Sequence, residues 1–328
     1  MKIGIIGLGF MGATHLGAFS KLKDVEVAAV CARDPRALAG DLSHVGGNLN
    51  REAGVHDFSR VRKYTDWQEL VRDPALDAID ICLPTDAHAP VSLAAFAEGK
   101  HVLCEKPMAL TKDDCDRMMN AAAAHRRILM VGQVLRFWPE YQYLRRFVEN
   151  ERPAIVSATF SRRCAVPDWS RWLMDESRSG GAILDLLVHD IDQALWLFGL
   201  PEQVSAKSLG DADTVSATLT YPENLQVHIE GGWFHAGTPF SMAFTVRTQA
   251  SELDLTAEGL RLNNGPVDLT GDDAYETELA YFVACCQKNQ RPERCLPQDS
   301  AQAVELALLL QQSRALGGKQ LRCQMQKT

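Results

Sequence analysis

The spacing of apolar residues divides the chain into two halves of different pattern. From residue 1 to about residue 135, short runs of β-branched residues alternate with stretches in which apolar residues recur at helical spacing. This alternation is typical of successive β-α-β units in a parallel sheet. It predicts strands at residues 2–6, 25–31, 61–64, 78–82, 101–105 and 129–133. It predicts helices at residues 11–20, 35–42, 66–71, 87–98 and 112–125, the last with Thr111 as its N-cap.

The pattern changes after a helix predicted at residues 139–149. Runs such as "AIVSATFSRR" and "LQVHIEGGWF" alternate apolar and polar residues, as half-buried antiparallel strands do. Residues 180–199 instead carry apolar side chains at helical spacing and stop at Gly199, which predicts one long helix. Two further helices are predicted near residues 275–288 and 299–314. The second half is therefore predicted to be α+β, with a predominantly antiparallel open sheet.

These patterns predict two domains, in agreement with a length of 328 residues. Residues 1–135 form a doubly wound α/β domain, and residues 136–328 form an α+β domain for substrate binding and oligomerisation. The C-terminal helix could pack back on the first domain. Residues 43–62 have no clear period and are rich in Gly and Asn, which predicts an extended surface loop with no assigned role.

Charge and cysteine usage exclude several classes of protein. The net charge of −8 argues against a nucleic-acid partner, because phosphate binding needs clustered Lys and Arg. The nine cysteines are scattered and form no CxxC pair, so neither a disulfide framework nor a metal site is indicated. A reducing cytoplasm fits this usage best. Glycines interrupt the apolar N-terminus, and no run approaches the roughly 20 apolar residues of a membrane helix.

A glycine-rich turn follows the first predicted strand. "IIGLGFMG" places Gly7, Gly9 and Gly12 in GxGxxG spacing between that strand and a helix. The first glycine permits the tight turn, the second lets the backbone approach a pyrophosphate, and the third lets helix and strand pack closely. A Rossmann dinucleotide site is therefore predicted, with Leu8, Phe10 and Met11 as further contacts; the alternative is a glycine turn without a ligand.

The end of the second strand is expected to meet the adenosine ribose of such a cofactor. In "VAAVCARDP" the position of an NAD-binding acid falls on Ala32, followed by Arg33. The small residue removes the carboxylate that would repel a 2′-phosphate, and the arginine supplies a cation that can hold one. This combination favours NADP slightly over NAD. The alternative is that Asp34 takes the acidic role and Arg33 lies over the adenine.

Four segments together resemble the Gfo/Idh/MocA family, the relatives of glucose–fructose oxidoreductase and inositol dehydrogenase. They are "GIIGLGFMGATHLGAF", "LPTDAH" (83–88), "EKPMAL" (105–110) and "SGGAILDLLVHDIDQALWLFG" (179–199), and they span most of the chain. The resemblance implies a Rossmann domain, a second domain with an open antiparallel sheet, and nicotinamide-dependent redox chemistry at a sugar or cyclitol carbon. It also implies a homodimer or homotetramer.

Three residues are predicted to be catalytic. Lys106 follows a parallel strand, at the edge where open α/β sheets bind ligands; otherwise "EK" is an ordinary surface pair. Asp185 and His189 lie four residues apart and would share one face of the long helix, unless they only satisfy each other inside the packing. His189 is suited to act as general acid/base, Lys106 to stabilise an alkoxide, and Asp185 to orient the hydroxyl. The family assigns corresponding roles to its matching lysine, aspartate and histidine.

Further site residues follow the predicted strand ends. The cofactor side comprises Leu83, Pro84, Thr85, His88, Glu105, Lys106 and Gln133, and His88 could equally be a helix-start residue without a ligand. The substrate side comprises Lys106, Arg136, Arg171, Trp172, Asp185 and His189. Trp172 lies in a loop, where specificity usually resides, and could stack on a sugar ring or only anchor the loop. Asp192 and Glu105 could each be structural.

The predicted function is hydride transfer between NAD(P) and a secondary alcohol or ketone carbon of a sugar, nucleotide sugar or cyclitol. Two alternatives share the fold: a non-catalytic NAD(P)-binding regulator, and a glycosidase that oxidises and re-reduces its substrate within one turnover. The predicted partners are small-molecule substrates, with no nucleic acid and no membrane.

Overall fold

The computed structural model describes residues 1–47, 54–167, 170–210 and 213–325. It divides the chain into two compact units. Unit 1 consists of Met1–Val134 and Asp272–Ala301, and unit 2 consists of Leu135–Gly271 and Gln302–Thr328. Among the described residues, none of the helices combines the length and the apolar character that crossing a membrane requires. All nine cysteines are free thiols.

Strands and helices alternate through the first part of the chain and separate in the second. The strands are β1 (Lys2–Ile6), β2 (Glu26–Cys31), β3 (Arg62–Tyr64), β4 (Ala78–Ile81), β5 (His101–Cys104), β6 (Leu129–Val131), β7 (Ile155–Ala165), β8 (Gln203–Ser208), β9 (Thr214–Thr220), β10 (Gln226–Phe234), β11 (Ser241–Thr248), β12 (Glu252–Thr256), β13 (Gly259–Leu262), β14 (Gly265–Pro266) and β15 (Leu321–Arg322). The helices are α1 (Phe10–Phe19), α2 (Pro35–Leu38), α3 (Trp67–Val71), α4 (His88–Ala97), α5 (Lys112–Ala124), α6 (Pro139–Glu151), α7 (Glu176–Ser179), α8 (Gly181–Asp185), α9 (Val188–Phe198), α10 (Ala274–Lys288) and α11 (Pro297–Ala315).

Unit 1 contains a six-stranded parallel sheet in the order β3-β2-β1-β4-β5-β6. This is the doubly wound order of a dinucleotide-binding domain, and the prediction of a Rossmann sheet is confirmed. β4 is buried along its whole length, as expected for a central strand covered on both faces. The carboxyl ends of β1, β4 and β5 lie at one edge, where the predicted cofactor segments begin.

Unit 1 also contains α10, which the sequence pattern placed in the second domain. α10 packs on α1, where the ring of Tyr275 lies 6.3 Å from that of His15 and Glu276 forms an ion pair with Lys21. The sequence boundary at residue 135 therefore did not anticipate that Asp272–Ala301 would belong to unit 1. Hydrophobic periodicity finds a helix, but it does not specify the partner on which the helix packs.

Unit 2 contains a nine-stranded sheet in the order β14-β13-β12-β11-β7-β10-β9-β8-β15. All neighbouring strands are antiparallel except β10 and β7, which are parallel. The prediction of a predominantly antiparallel sheet is confirmed. Residues along β9 alternate between buried and half-buried positions, the pattern of a sheet with one covered face.

The single long helix predicted over residues 180–199 is wrong, because the structure has α8 and α9 with a break between them. The carbonyl of Ala182 accepts hydrogen bonds from the backbone N–H groups of both Leu186 and Leu187, at 3.0 Å each. This extra residue shifts the helical ladder, and one residue rotates a helix by about 100°. The apolar side chains on both sides of the break are buried, namely Leu184, Leu186, Leu187 and Val188.

The predicted surface loop at residues 43–62 is held by backbone contacts near both of its ends. Residues 48–53 of this loop lie outside the described residues. Asp41 and Val55 form an isolated antiparallel bridge, and the backbone N–H of His56 donates a hydrogen bond to the carbonyl oxygen of Gly40 at 2.9 Å. Phe58 anchors the returning segment in the core.

Candidate active site

The glycine-rich turn has the geometry that the spacing predicts. Gly7 has φ +96°, a backbone conformation that side chains rarely adopt, and a Cβ there would lie 2.3 Å from the carbonyl oxygen of Cys82. A Cβ on Gly12 would lie 1.9 Å from the carbonyl oxygen of Gly7. Both glycines are therefore required by close backbone packing between β1, α1 and the end of β4.

Gly9 differs from the other two glycines, because a Cβ on it would have no atom within 4 Å. Gly9 is exposed and caps α1 without a side-chain hydrogen bond, and the first turn of α1 carries no acidic side chain. The open backbone N–H groups and the helix dipole there suit an anion. These residues fit the pyrophosphate of a dinucleotide cofactor.

The neighbours of Gly9 differ in what they can offer a ligand. Leu8 is buried in the core, so only its backbone is available, whereas Phe10 and Met11 are half-buried. The backbone of Gly47 packs on the ring of Phe10, since a Cβ on Gly47 would lie 2.2 Å from that ring. The loop after α2 thus reaches the glycine-rich turn within unit 1.

The end of β2 offers a half-buried Ala32 and an exposed Arg33. The carboxylate of Asp34 accepts a hydrogen bond from the backbone N–H of Arg36 at 2.9 Å and so caps α2, and it lies 2.7 Å from Nε2 of His44. The hydrogen bond from Arg36 is the main cause that lowers the pKa of Asp34, and His44 adds to it. Asp34 is thus engaged by its own helix and by the following loop.

The segment after β4 is held by His88. Its Nδ1 lies 2.8 Å from the carbonyl oxygen of Pro107 and its Nε2 lies 2.8 Å from that of Leu83. His88 is buried, and burial lowers its pKa. This geometry supports the alternative of a helix-start residue that fastens the two turns together. Pro84 shapes the turn, and Thr85 is buried beside it.

Lys106 is the half-buried residue in a buried stretch. Residues 102–105 and 107–109 are all buried, and the Lys106–Pro107 peptide bond is cis. Glu105 lies beside it in the interior, where its Oε2 accepts a hydrogen bond from the backbone N–H of Lys106 at 3.1 Å. Glu105 therefore pairs locally, which was one of its two predicted roles.

Asp185 and His189 show the same pattern in unit 2. Between residues 181 and 195 every residue is buried except these two, which are half-buried. Asp185 ends α8 and His189 lies in the first turn of α9. Because the helix breaks between them, the i, i+4 spacing does not set their relative orientation, and that step of the prediction is corrected.

Four other predicted residues have contrasting surroundings. Arg136 is 1% exposed, and its guanidinium donates to both oxygens of Asp192 at 2.7 and 3.0 Å, which favours a structural role for the pair. Gln133 is buried in unit 1. Arg171 is exposed and Trp172 half-buried in a short 3₁₀ turn.

Sequence reasoning missed a buried polar cluster in unit 1. His15 on α1, Asp80 on β4 and Glu278 on α10 are each 0% exposed. Asp80 carried a signal, because a carboxylate inside the apolar strand "AIDIC" needs a partner. The partner comes from a distant segment, so the sequence does not name it.

Two family models match the chain. The model described as an oxidoreductase family with an NAD-binding Rossmann fold matches residues 1–133, and the model of the GFO/IDH/MocA C-terminal domain matches residues 141–250.

Relatives and a solved structure match over longer ranges. The uncharacterized oxidoreductase YrbE of Bacillus subtilis is 28% identical, over 96% of this chain and 94% of the relative. The myo-inositol 2-dehydrogenase of Thermotoga maritima is 31% identical, over 67% of this chain and 65% of the relative's length. The crystal structure of myo-inositol 2-dehydrogenase from Lactobacillus plantarum shares the fold, with a TM-score of 0.80, 23% identity and 99% of each chain covered.

Proposed function

The chain belongs to the Gfo/Idh/MocA family of NAD-binding oxidoreductases, and we propose that it transfers hydride between NAD(P) and a secondary alcohol or ketone carbon of a sugar, nucleotide sugar or cyclitol. Because its relatives are dehydrogenases, the chain is an NAD(P)-dependent oxidoreductase that acts on CH–OH groups. Relatives named for inositol, levoglucosan and glucoside oxidation support a polyhydroxylated ring as the substrate class.

The observation that carries the proposal is the exposure of Lys106, Asp185 and His189. Each is half-buried within a stretch that is otherwise buried. Side chains that only fill the core would be covered like their neighbours, and ionisable groups at such positions need a polar ligand, a partner or water. An ammonium, a carboxylate and an imidazole are the groups that alcohol oxidation needs, which supports an enzyme over a non-catalytic regulator.

Each of the three residues has a distinct proposed role. His189 removes the hydroxyl proton as general base, because imidazole is the side chain best suited to exchange protons at neutral pH. Lys106 donates a hydrogen bond to the same oxygen and stabilises its developing negative charge. Asp185 accepts a hydrogen bond and orients the hydroxyl. In the reverse direction His189 returns the proton to the ketone oxygen.

Residues 7–12 hold the pyrophosphate of the cofactor, and Ala32 and Arg33 lie at its adenosine end. When bound, the nicotinamide accepts or donates the hydride. Because Asp34 is engaged by α2 and His44, it is less able to act as the acid that selects NAD, and we propose a slight preference for NADP through Arg33. Titration of wild type and Arg33→Ala with NAD and NADP tests this. Unchanged NADP affinity in the variant, or a wild type that prefers NAD, contradicts it.

The decisive experiment is a panel of sugars, cyclitols and nucleotide sugars assayed for reduced nicotinamide. Lys106→Ala and His189→Ala should each lower kcat/KM by about 10²- to 10⁴-fold. Lys112→Ala and His125→Ala are matched controls, because Lys112 begins α5, His125 directly follows it, and both residues are exposed; they should leave turnover unchanged. Near-normal turnover in either site variant would show that its assigned role is wrong.

Two further measurements distinguish a dehydrogenase from a redox-neutral glycosidase and determine the oligomeric state. A dehydrogenase forms one equivalent of reduced nicotinamide for each product, whereas an internally redox-neutral glycosidase forms none. Light scattering measures the oligomeric state, which the family resemblance predicts to be a dimer or tetramer.

A further inference from the structure

A buried histidine in unit 1 connects the glycine-rich helix to the strand end that carries Lys106. His15 lies on α1, three residues after Gly12, and is 0% exposed. Its Nδ1 is 2.9 Å from Oδ2 of Asp80, and its Nε2 is 3.1 Å from Oε1 of Glu105. The Nδ1 contact is a hydrogen bond, whereas the Nε2 contact is an ion pair without hydrogen-bond geometry. Burial opposes a charge on the ring, but Asp80 and Cys82 outweigh it and raise the pKa of His15 well above its ordinary value, so the ring is an imidazolium.

The contact continues from Glu105 to Lys106. The Oε2 atom of Glu105 accepts a hydrogen bond from the backbone N–H of Lys106 at 3.1 Å, while its Oε1 faces His15. A carboxylate fixed at both oxygens has little freedom to rotate. The peptide that presents Lys106 is thus anchored to α1 through two consecutive charge-assisted contacts.

The groups around His15 come from every element packed against it. They are Phe19 of α1, Asp80 of β4 with Cys82 just after it, Glu105 and Lys106 at the end of β5, and Tyr275 and Glu278 of α10.

Glu278 differs from the other two carboxyl groups of the cluster. Neither of its oxygens has a hydrogen-bond partner among the described residues. Burial first, and then the charges of Glu105 and Asp80, raise its pKa well above the ordinary value, while His15 and Arg294 act in the opposite direction. The direction of this shift favours the neutral carboxyl of Glu278, whereas Asp80 and Glu105 form ion pairs with His15.

We propose that His15 is a positioning residue that holds the Glu105 carboxylate ionised and oriented, and through it the backbone of the catalytic Lys106. The proposal rests on the proposed function insofar as Lys106 meets the substrate. Glu105 is desolvated, which would favour its neutral form, but His15 first and then Lys106 outweigh this effect and lower its pKa. Without the imidazolium the pKa of Glu105 would rise, and a protonated carboxyl is a weaker acceptor for the Lys106 N–H.

Three variants separate positioning from mere packing. His15→Gln removes the cation and leaves Glu105 buried without it. Asp80→Asn removes the other carboxylate, but the Asn side-chain oxygen can still accept a hydrogen bond from Nδ1, and the charged ring stays beside Glu105. His15→Asn is a second replacement in case the longer glutamine does not fit the core.

The first readout needs neither substrate nor cofactor. In the wild type, nitrogen-15 NMR should show His15 with both ring nitrogens protonated and the Lys106 amide signal unchanged from pH 6 to 8. In His15→Gln or His15→Asn the Lys106 amide should titrate in this range, whereas in Asp80→Asn it should not. A wild-type His15 with one ring proton at pH 6, or a Lys106 amide that behaves alike in all variants, overturns the proposal.

The second readout is the pH profile of kcat at saturating substrate. His15→Gln should gain an acid limb, with about tenfold lower turnover per pH unit below the new pKa, and Asp80→Asn should not. A purely structural role would lower stability in both variants without adding an ionisation, and such a result also overturns the proposal. If the wild type reduces no nicotinamide with any substrate, the proposed function fails, while the NMR readout still decides the link between His15 and Lys106.

Discussion

The three glycines of the turn after β1 should respond differently to the same substitution. A Cβ on Gly12 would lie 1.9 Å from the carbonyl oxygen of Gly7 and 2.9 Å from its carbonyl carbon. Both are backbone atoms, so α1 or β1 must move by more than about 1 Å to reach ordinary contact distances. Overpacking of this kind costs about 1–3 kcal/mol or more, which exceeds the gain of about 1 kcal/mol that alanine brings over glycine in a helix.

Gly9→Ala should leave the fold intact and weaken cofactor binding. Gly9 has φ −78° and ψ −162°, which alanine adopts without strain, and the added methyl meets no protein atom. The change in stability should stay within about 0.5 kcal/mol. The methyl projects where the pyrophosphate should approach, and losing one charge-assisted hydrogen bond of about 1.5–3 kcal/mol weakens binding by roughly 10- to 100-fold.

Thermal melts and cofactor titrations of the two variants test both expectations. Gly12→Ala should melt about 4–8 °C lower for a loss of about 2 kcal/mol, whereas Gly9→Ala should melt like the wild type. Gly9→Ala should also show the weakened binding of NAD and NADP by calorimetry. If Gly9→Ala binds the cofactor within twofold of the wild type, the pyrophosphate does not lie at Gly9. If it melts as low as Gly12→Ala, the packing argument fails.

Three further predictions concern variants of the buried Asp192 and Glu278 and of the half-buried Trp172. Asp192→Ala should destabilise the protein by about 3–5 kcal/mol in denaturant melts, because it removes the carboxylate to which the buried Arg136 guanidinium donates at 2.7 and 3.0 Å. A double replacement of the pair by Leu and Met should recover most of the loss, and an equal loss in the double variant would contradict the pairing. Glu278→Gln should be as stable as the wild type at pH 4 and become more stable than the wild type as the pH rises, by up to about 1.4 kcal/mol per pH unit. The reason is that the pKa of Glu278 is raised in the folded state. Its contribution to stability is therefore present below the unfolded-state pKa and is lost as the pH rises towards the folded-state pKa. A pH-independent difference in chemical melts would show that Glu278 is ionised. Trp172→Ala should raise KM for the sugar or cyclitol with little change in kcat if its ring stacks on the substrate, and an unchanged KM would leave Trp172 as a loop anchor.

The local sequence pattern was sufficient to predict the strands of the parallel sheet and the glycine-rich cofactor turn. Each predicted strand of the parallel sheet lies within two residues of the observed strand at both ends, because period and β-branched composition are properties of the strand itself. Thr111 caps α5 as predicted, with its Oγ1 accepting from the N–H of Asp114 at 3.1 Å. The roles of Gly7 and Gly12 likewise follow from their spacing, since the turn and the helix they serve are built by adjacent residues.

The tertiary structure decided what depends on distant partners. Periodicity could not show that α10 belongs to unit 1, or that the helix breaks at Leu186 and Leu187, because the burial of those leucines depends on separate parts of unit 2. It also could not pair His15 with Glu105, which lie 90 residues apart and meet only in the folded unit 1. A sequence fixes which side chains can ionise, but only the folded chain determines which of them share a low-dielectric interior and must therefore be paired.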